Sequence, residues 1–138
     1  MSAAIPMPAN VFDAFEAVAP AQRGPLMAVR EIIFEVAETC PEIGSVEETL
    51  RWGEPAYVTT KRRTGSTIRL AVEKGSGQPA LFFDCKTTLV EGFRQQFGED
   101  MQFVKNRAVL LGDNPEMQAE AIAICIRAAL RYHLRGKG

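Results

Sequence analysis

The side chains able to do chemistry fall into two groups. The first surrounds the only tryptophan, in EETLRWGEPAY (residues 47–57), where Arg51, Trp52, Glu54 and Tyr57 lie close together. Asp84 and Lys86 follow an apolar run, and Lys105 and Arg107 surround a turn. Strand ends and the loops after them commonly carry function because a rigid sheet positions them, so these eight residues are the candidate ligand-binding set. Glu47, Glu48 or Glu54 could serve as an acid or base only with a perturbed pKa. The second group is Glu31, Glu35 and Glu38, whose i, i+4, i+7 spacing puts three carboxylates on one side of a helix. Such a stripe can hold a hard cation loosely, while a specific site adds ligands from elsewhere. A solvated helix face paired with nearby arginines is the plainer reading.

Several chemistries find no support. His133 is the only histidine, so a zinc site of two or three imidazoles is excluded, and no nucleophile lies beside it in sequence for a hydrolase triad. Cys40, Cys85 and Cys125 form no C-x-x-C pair and read as reduced thiols. The glycines of Lys74-Gly75-Ser76-Gly77-Gln78-Pro79 do not make a dinucleotide fingerprint. Lys61, Arg62 and Arg63 could meet a phosphate, but no aromatic residues interleave them to stack bases. With a net charge of −1, nucleic acid is disfavoured as a partner. No apolar stretch reaches the length of about 20 residues needed to span a membrane, and the first residues lack a signal-peptide pattern. A cytoplasmic protein without membrane contact is expected. A homodimer is left open, since helix faces used for pairing and for cores look alike in one sequence.

A chain of 138 residues suits one domain, here expected over residues 10–138 after a flexible arm at 1–9. Asn10 is placed to cap a short helix carrying Val11, Phe12, Phe15 and Val18. A second helix is expected from near Pro25 to about Thr39, with Leu26, Val29, Ile33, Val36 and Cys40 on its core face. Around Trp52 the β character of Leu50, Tyr57 and Val58 is interrupted by Gly53 and Pro55, which predicts a bulge or sharp turn. Trp52 and Tyr57 are read foremost as core aromatics, and otherwise as ligand-facing. Lys61 to Ser66 predicts the exposed tip of a hairpin returning along Thr67 to Val72, followed by a strand at Ala80 to Phe83. Thr88 and Glu91 fit a capping box for a helix ending at Gly98. Met101 to Lys105 and Ala108 to Leu111 flank a tight turn, with Asn106 suited to the left-handed conformation. Asn114 and Pro115 open a last helix running to about Leu134, mostly buried, with Cys125 inert inside it.

The run EETLRWGEPAY, the strand ending FFDCK, TTLVEGFRQQF and the hairpin VKNRAVLL resemble the YdhG-like family of bacterial domains, over roughly residues 20 to 134. The resemblance implies an α+β fold: an antiparallel sheet of about five to six strands packed against helices, with N-terminal helices and a long buried C-terminal helix. Some YdhG-like relatives are described as frataxin-like iron chaperones that bind iron through acidic surface residues, a part that Glu31, Glu35 and Glu38 would play here. A more distant similarity, in the W-G-x-P-x-Y turn and the later hairpin, is to YjbR-like domains, proposed to bind DNA. The function expected is that of a small binding domain for a metal ion or small ligand. The alternative is a nucleic-acid or protein interaction module using Lys61, Arg62, Arg63, Lys105 and Arg107.

Overall fold

A computed structural model of the chain describes residues 5–112 and 115–134. The fold is α+β. Six strands form one antiparallel sheet in the order β1-β2-β3-β4-β6-β5. They are β1 (Glu47–Arg51), β2 (Glu54–Val58), β3 (Ile68–Glu73), β4 (Gln78–Phe83), β5 (Gln102–Val104) and β6 (Ala108–Leu110). Four helices cover one face: α1 (Ala9–Glu16), α2 (Pro20–Glu38), α3 (Leu89–Phe97) and α4 (Ala119–Leu130). No helix among the described residues is long and apolar enough to cross a membrane.

Alternation along the strands divides the sheet into two faces. Tyr57, Ile68, Leu70, Leu81, Phe83 and Val109 point toward the helices and join Phe15, Leu26, Ile33, Phe93 and Ile126 in one core. The opposite face is open, and its cross-strand neighbours Ala71, Ala80, Phe82 and Ala108 form a separate small apolar cluster. Alanines at the centre keep this face low, while longer side chains rise around it.

The helices depart from expectation mainly at their ends. α1 begins one residue before Asn10, with the Pro8 carbonyl accepting from Phe12 N–H. α2 starts at Pro20, which takes the first-turn position expected of Pro25, and Pro25 lies inside the helix. Its predicted core face holds, since Leu26, Val29, Ile33, Val36 and Cys40 are all buried. The capping box at α3 is not formed, because Thr88 makes no side-chain cap bond, and the Leu89 amide instead donates to Thr87 Oγ1 at 3.4 Å. α4 is shorter than expected: residues Pro115–Gln118 form a 3-10 turn before it, and Asn114 lies outside the described residues. Cys125 is fully buried, and burial pushes its thiol pKa up to about 12, which keeps it protonated and unreactive.

The connection between β2 and β3 is more than a hairpin tip. Lys61, Arg62 and Arg63 are exposed as expected, but Thr64 to Ser66 fold back onto the end of α4. Thr64 Oγ1 donates to the Leu130 carbonyl at 2.9 Å and Ser66 N–H to that of Ala129 at 2.8 Å. These bonds reach carbonyls of the last helical turn, where intrahelical donors run out, although that of Ala129 also accepts from Tyr132 N–H at 3.2 Å.

Candidate functional site

The open face of the sheet carries a cleft of about 700 Å³. Its geometry begins at the β1–β2 turn. Arg51 pairs with Glu54 across a loop of two residues, Trp52 and Gly53, with φ of +57° and +75°. Two positive φ values are what a tight hairpin turn requires, because that twist matches the flanking strands. Gly53 adopts the conformation freely, whereas Trp52 does not.

The turn overturns one expectation. Trp52 is not a core aromatic but is 89% exposed, since its turn position carries the ring clear of the sheet and onto the rim of the cleft. Tyr57 goes the other way. It is fully buried on the helix-facing side, where its hydroxyl donates to Glu48 at 2.8 Å, so it does not reach the cleft.

The floor of the cleft is Phe82, directly opposite Arg69 on β3. The Arg69 guanidinium lies 5.2 Å from the Phe82 ring centroid and that of Arg107 lies 5.7 Å from it, both within cation–π range. Two like charges around one ring repel, and carboxylates relieve the repulsion: Glu54 forms an ion pair with Arg69. Glu73, whose pKa Arg107 helps to depress, adds a negative charge near the other guanidinium. The larger causes of that depression are the amides of Gly75 and Ser76, which donate to the Glu73 carboxylate at 3.0 and 2.7 Å.

Two loops complete the walls. After β4, Asp84 Oδ1 accepts from the Lys86 amide at 2.9 Å, a local turn that holds Asp84, Cys85 and Lys86 along the cleft. The β5–β6 loop has three residues, Lys105 to Arg107, rather than two, and its left-handed residue is Lys105 instead of Asn106. The Arg107 carbonyl accepts from Phe83 N–H at 2.7 Å, and Arg94 of α3 donates to the Lys105 carbonyl at 2.6 Å. These bonds brace the loop that presents Arg107.

Of the eight candidate ligand residues, six line this one cleft: Arg51, Trp52, Glu54, Asp84, Lys86 and Arg107. Tyr57 and Lys105 do not. Arg69, Lys74, Phe82 and Cys85 also line it and were not singled out from sequence. The signal for Arg69 was present, since an arginine amid the apolar residues of IRLAVE must face away from the core if alternation holds. Lys74 and Cys85 gave no such signal, because their place depends on how two loops converge.

The other candidates are dispersed. Glu31, Glu35 and Glu38 are exposed along α2, and among the described residues no group of three or more His, Cys, Asp or Glu is placed to hold a metal ion. Among the described residues the stripe is not joined by the further ligands that a specific cation site adds. Glu48 is held between Arg30 and Tyr57 on the helix side, and Glu54 by Arg69. His133 is exposed just beyond α4. Lys61, Arg62 and Arg63 do not border the cleft. No family model, curated protein or solved structure matches the chain.

Proposed function

We propose that this domain binds a small anionic ligand in the cleft on the open face of its sheet. The observation that carries the reading is the charge of the cleft. Arg51, Arg69, Lys74, Lys86 and Arg107 line it with only Glu54 and Asp84, and with Glu73 beside Arg107 counted as well the excess is two positive charges in a protein whose net charge is −1. Concentrating one sign of charge in a concavity focuses the field and draws in ligands of the opposite sign. The volume falls within the roughly 300–1,000 Å³ typical of small-molecule sites. Phe82 supplies an apolar floor, and Arg107 can present a fork of donors matched to a phosphate or carboxylate.

Membership of the YdhG-like family belongs to this reading and rests on the Trp52 to Tyr57 stretch. The iron role of some relatives does not, because the described residues assemble no donor set for it. A cytoplasmic setting suits the proposal: phosphorylated and carboxylated metabolites are plentiful there, and Cys40, Cys85 and Cys125, all unpaired in the structure, would stay reduced.

The test is a titration followed by the fluorescence of Trp52, the only tryptophan and one that stands on the rim. Inorganic phosphate, pyrophosphate and citrate are the probes, at low and at high salt. At least one should change the emission with saturation. Its affinity should weaken about tenfold or more in Arg107→Ala, in line with the loss of a charge-assisted contact, and remain unchanged in Lys61→Ala. Absence of saturable binding by all three, confirmed by calorimetry, would overturn the proposal.

A further inference from the structure

We infer that the ligand is a free nucleoside phosphate, with its base stacked on Trp52 and its phosphate drawn to the cationic groups of the cleft. The inference rests on the anion-binding reading above and adds the chemical class of the ligand. Trp52 lines the same cleft as Arg69 and Arg107. It is 89% exposed, so its ring gains almost nothing by burial. It also has φ of +57°, in a turn position that asparagine, aspartate or glycine would fill with less strain. A bulky residue held in the left-handed region without packing in return is the kind of outlier found at ligand clamps. A bare aromatic face at the mouth of a cationic cleft offers what a nucleoside phosphate needs, a π surface for the base and positive charge for the phosphate.

The charges agree in size. A phosphate monoester carries about −1.5 to −2 near neutral pH, matching the positive excess of two that remains when Glu73 is counted with Glu54 and Asp84. The cleft volume of about 700 Å³ and the one exposed ring at its rim suit one nucleotide, whereas a bound single strand would call for a series of aromatic platforms along a groove.

Calorimetry with adenosine 5′-monophosphate, ribose 5-phosphate and inorganic phosphate tests the inference on wild type, Trp52→Ala and Trp52→Phe. The nucleotide should bind wild type roughly tenfold more tightly than ribose 5-phosphate, the ratio expected of one base stacked on an aromatic ring. Trp52→Ala should erase that difference while leaving ribose 5-phosphate within about twofold of its wild-type affinity, and Trp52→Phe should keep most of it. If nucleotide and ribose 5-phosphate bind wild type equally, the nucleoside assignment is overturned and the anion site stands. If none of the three binds, the inference is overturned, and the anion site falls with it when pyrophosphate and citrate fail to bind as well. A single-stranded oligonucleotide that binds more tightly with each added residue would replace the free nucleotide with a polymer and overturn the inference too.

Discussion

Arg30 of α2 and Glu48 of β1 form a two-point ion pair inside the protein. Arg30 Nε donates to Glu48 Oε2 at 2.5 Å and Nη2 to Oε1 at 2.8 Å, with side chains only 6% and 4% exposed. The Tyr57 hydroxyl donates to the same carboxylate, and Arg30 Nη2 reaches the carbonyls of Ile5 and Pro6 at 3.4 Å. The guanidinium also lies 5.1 Å from the Phe34 ring centroid. A helix, two strands and the segment before α1 are thus joined through one polar cluster in the core. Glu48 is committed to this structural role, which leaves the chemistry of the open face to other residues.

Breaking this pair from one side should be costly. Arg30→Met leaves a buried carboxylate with only Tyr57 to satisfy it, and should lower the unfolding free energy by about 3–5 kcal/mol. Arg30→Met combined with Glu48→Leu removes both charges and should recover a large part of that loss. Urea denaturation of the two single variants and the double variant closes the cycle. A loss below about 1 kcal/mol in Arg30→Met would mean that the pair behaves like one on the surface.

The same cluster predicts a loss of stability in alkali. Burial, with the neighbouring Glu48 carboxylate next, raises the Tyr57 pKa far above its ordinary value of 10.0. The folded state then holds the phenolic proton more tightly than the unfolded state, so the contribution is fully present below pH 10 and is lost as the pH rises beyond it. Buried Cys125 acts in the same direction over a lower window, from 9.0 to about 12. Urea midpoints measured from about pH 8 to about pH 11 should fall with pH. Cys125→Ala should remove the earlier part of the decline and Tyr57→Phe the part above pH 10.

Much of the sheet and half-buried helices could be read from the sequence because period and punctuation agree there. The α2 stripe from Leu26 to Val36 follows the helical repeat, and Gly53 marks the β1–β2 turn. The pattern around Trp52 indicated a turn without saying which way the ring would point, since exposure there depends on the φ of one residue. The cleft was legible as a set of residues and not as a place. Glu54 and Arg69 meet only because β2 and β3 pair Ala56 with Arg69, a register that no local pattern specifies. Arg30 was hidden for a similar reason: an arginine on a helix reads as solvated until a distant carboxylate is known to face it.

Gly65 should tolerate no side chain. A Cβ there would stand 2.5 Å from the Leu130 carbonyl oxygen and 2.6 Å from its Cα, both backbone atoms of the α4 end. The bonds from Thr64 and Ser66 to that end, and the His133 N–H bond to the Thr64 carbonyl at 2.7 Å, all depend on this close approach. Gly65→Ala should therefore destabilise the fold by about 1–3 kcal/mol, as overpacking does. Hydrogen exchange should show the added opening at the α4 C-terminus. Equal stability of wild type and variant would mean that the loop does not lie against the helix.

Trp52→Asn should make the protein more stable and bind less well. Asparagine tolerates the left-handed conformation that Trp52 adopts at φ +57°, and the ring it replaces is almost wholly exposed, so little packing is lost. Relief of the backbone strain is expected to be worth up to about 1 kcal/mol. A rise in melting temperature of a few degrees, read in the absence of ligand, is the expected outcome for a domain of this size. If Trp52→Asn instead lowers the melting temperature, the tryptophan contributes to the fold and its exposure on the rim is not held at the expense of stability. The two observables separate the roles: melting temperature reports the strain of the turn, and nucleotide affinity reports what the ring does over the cleft.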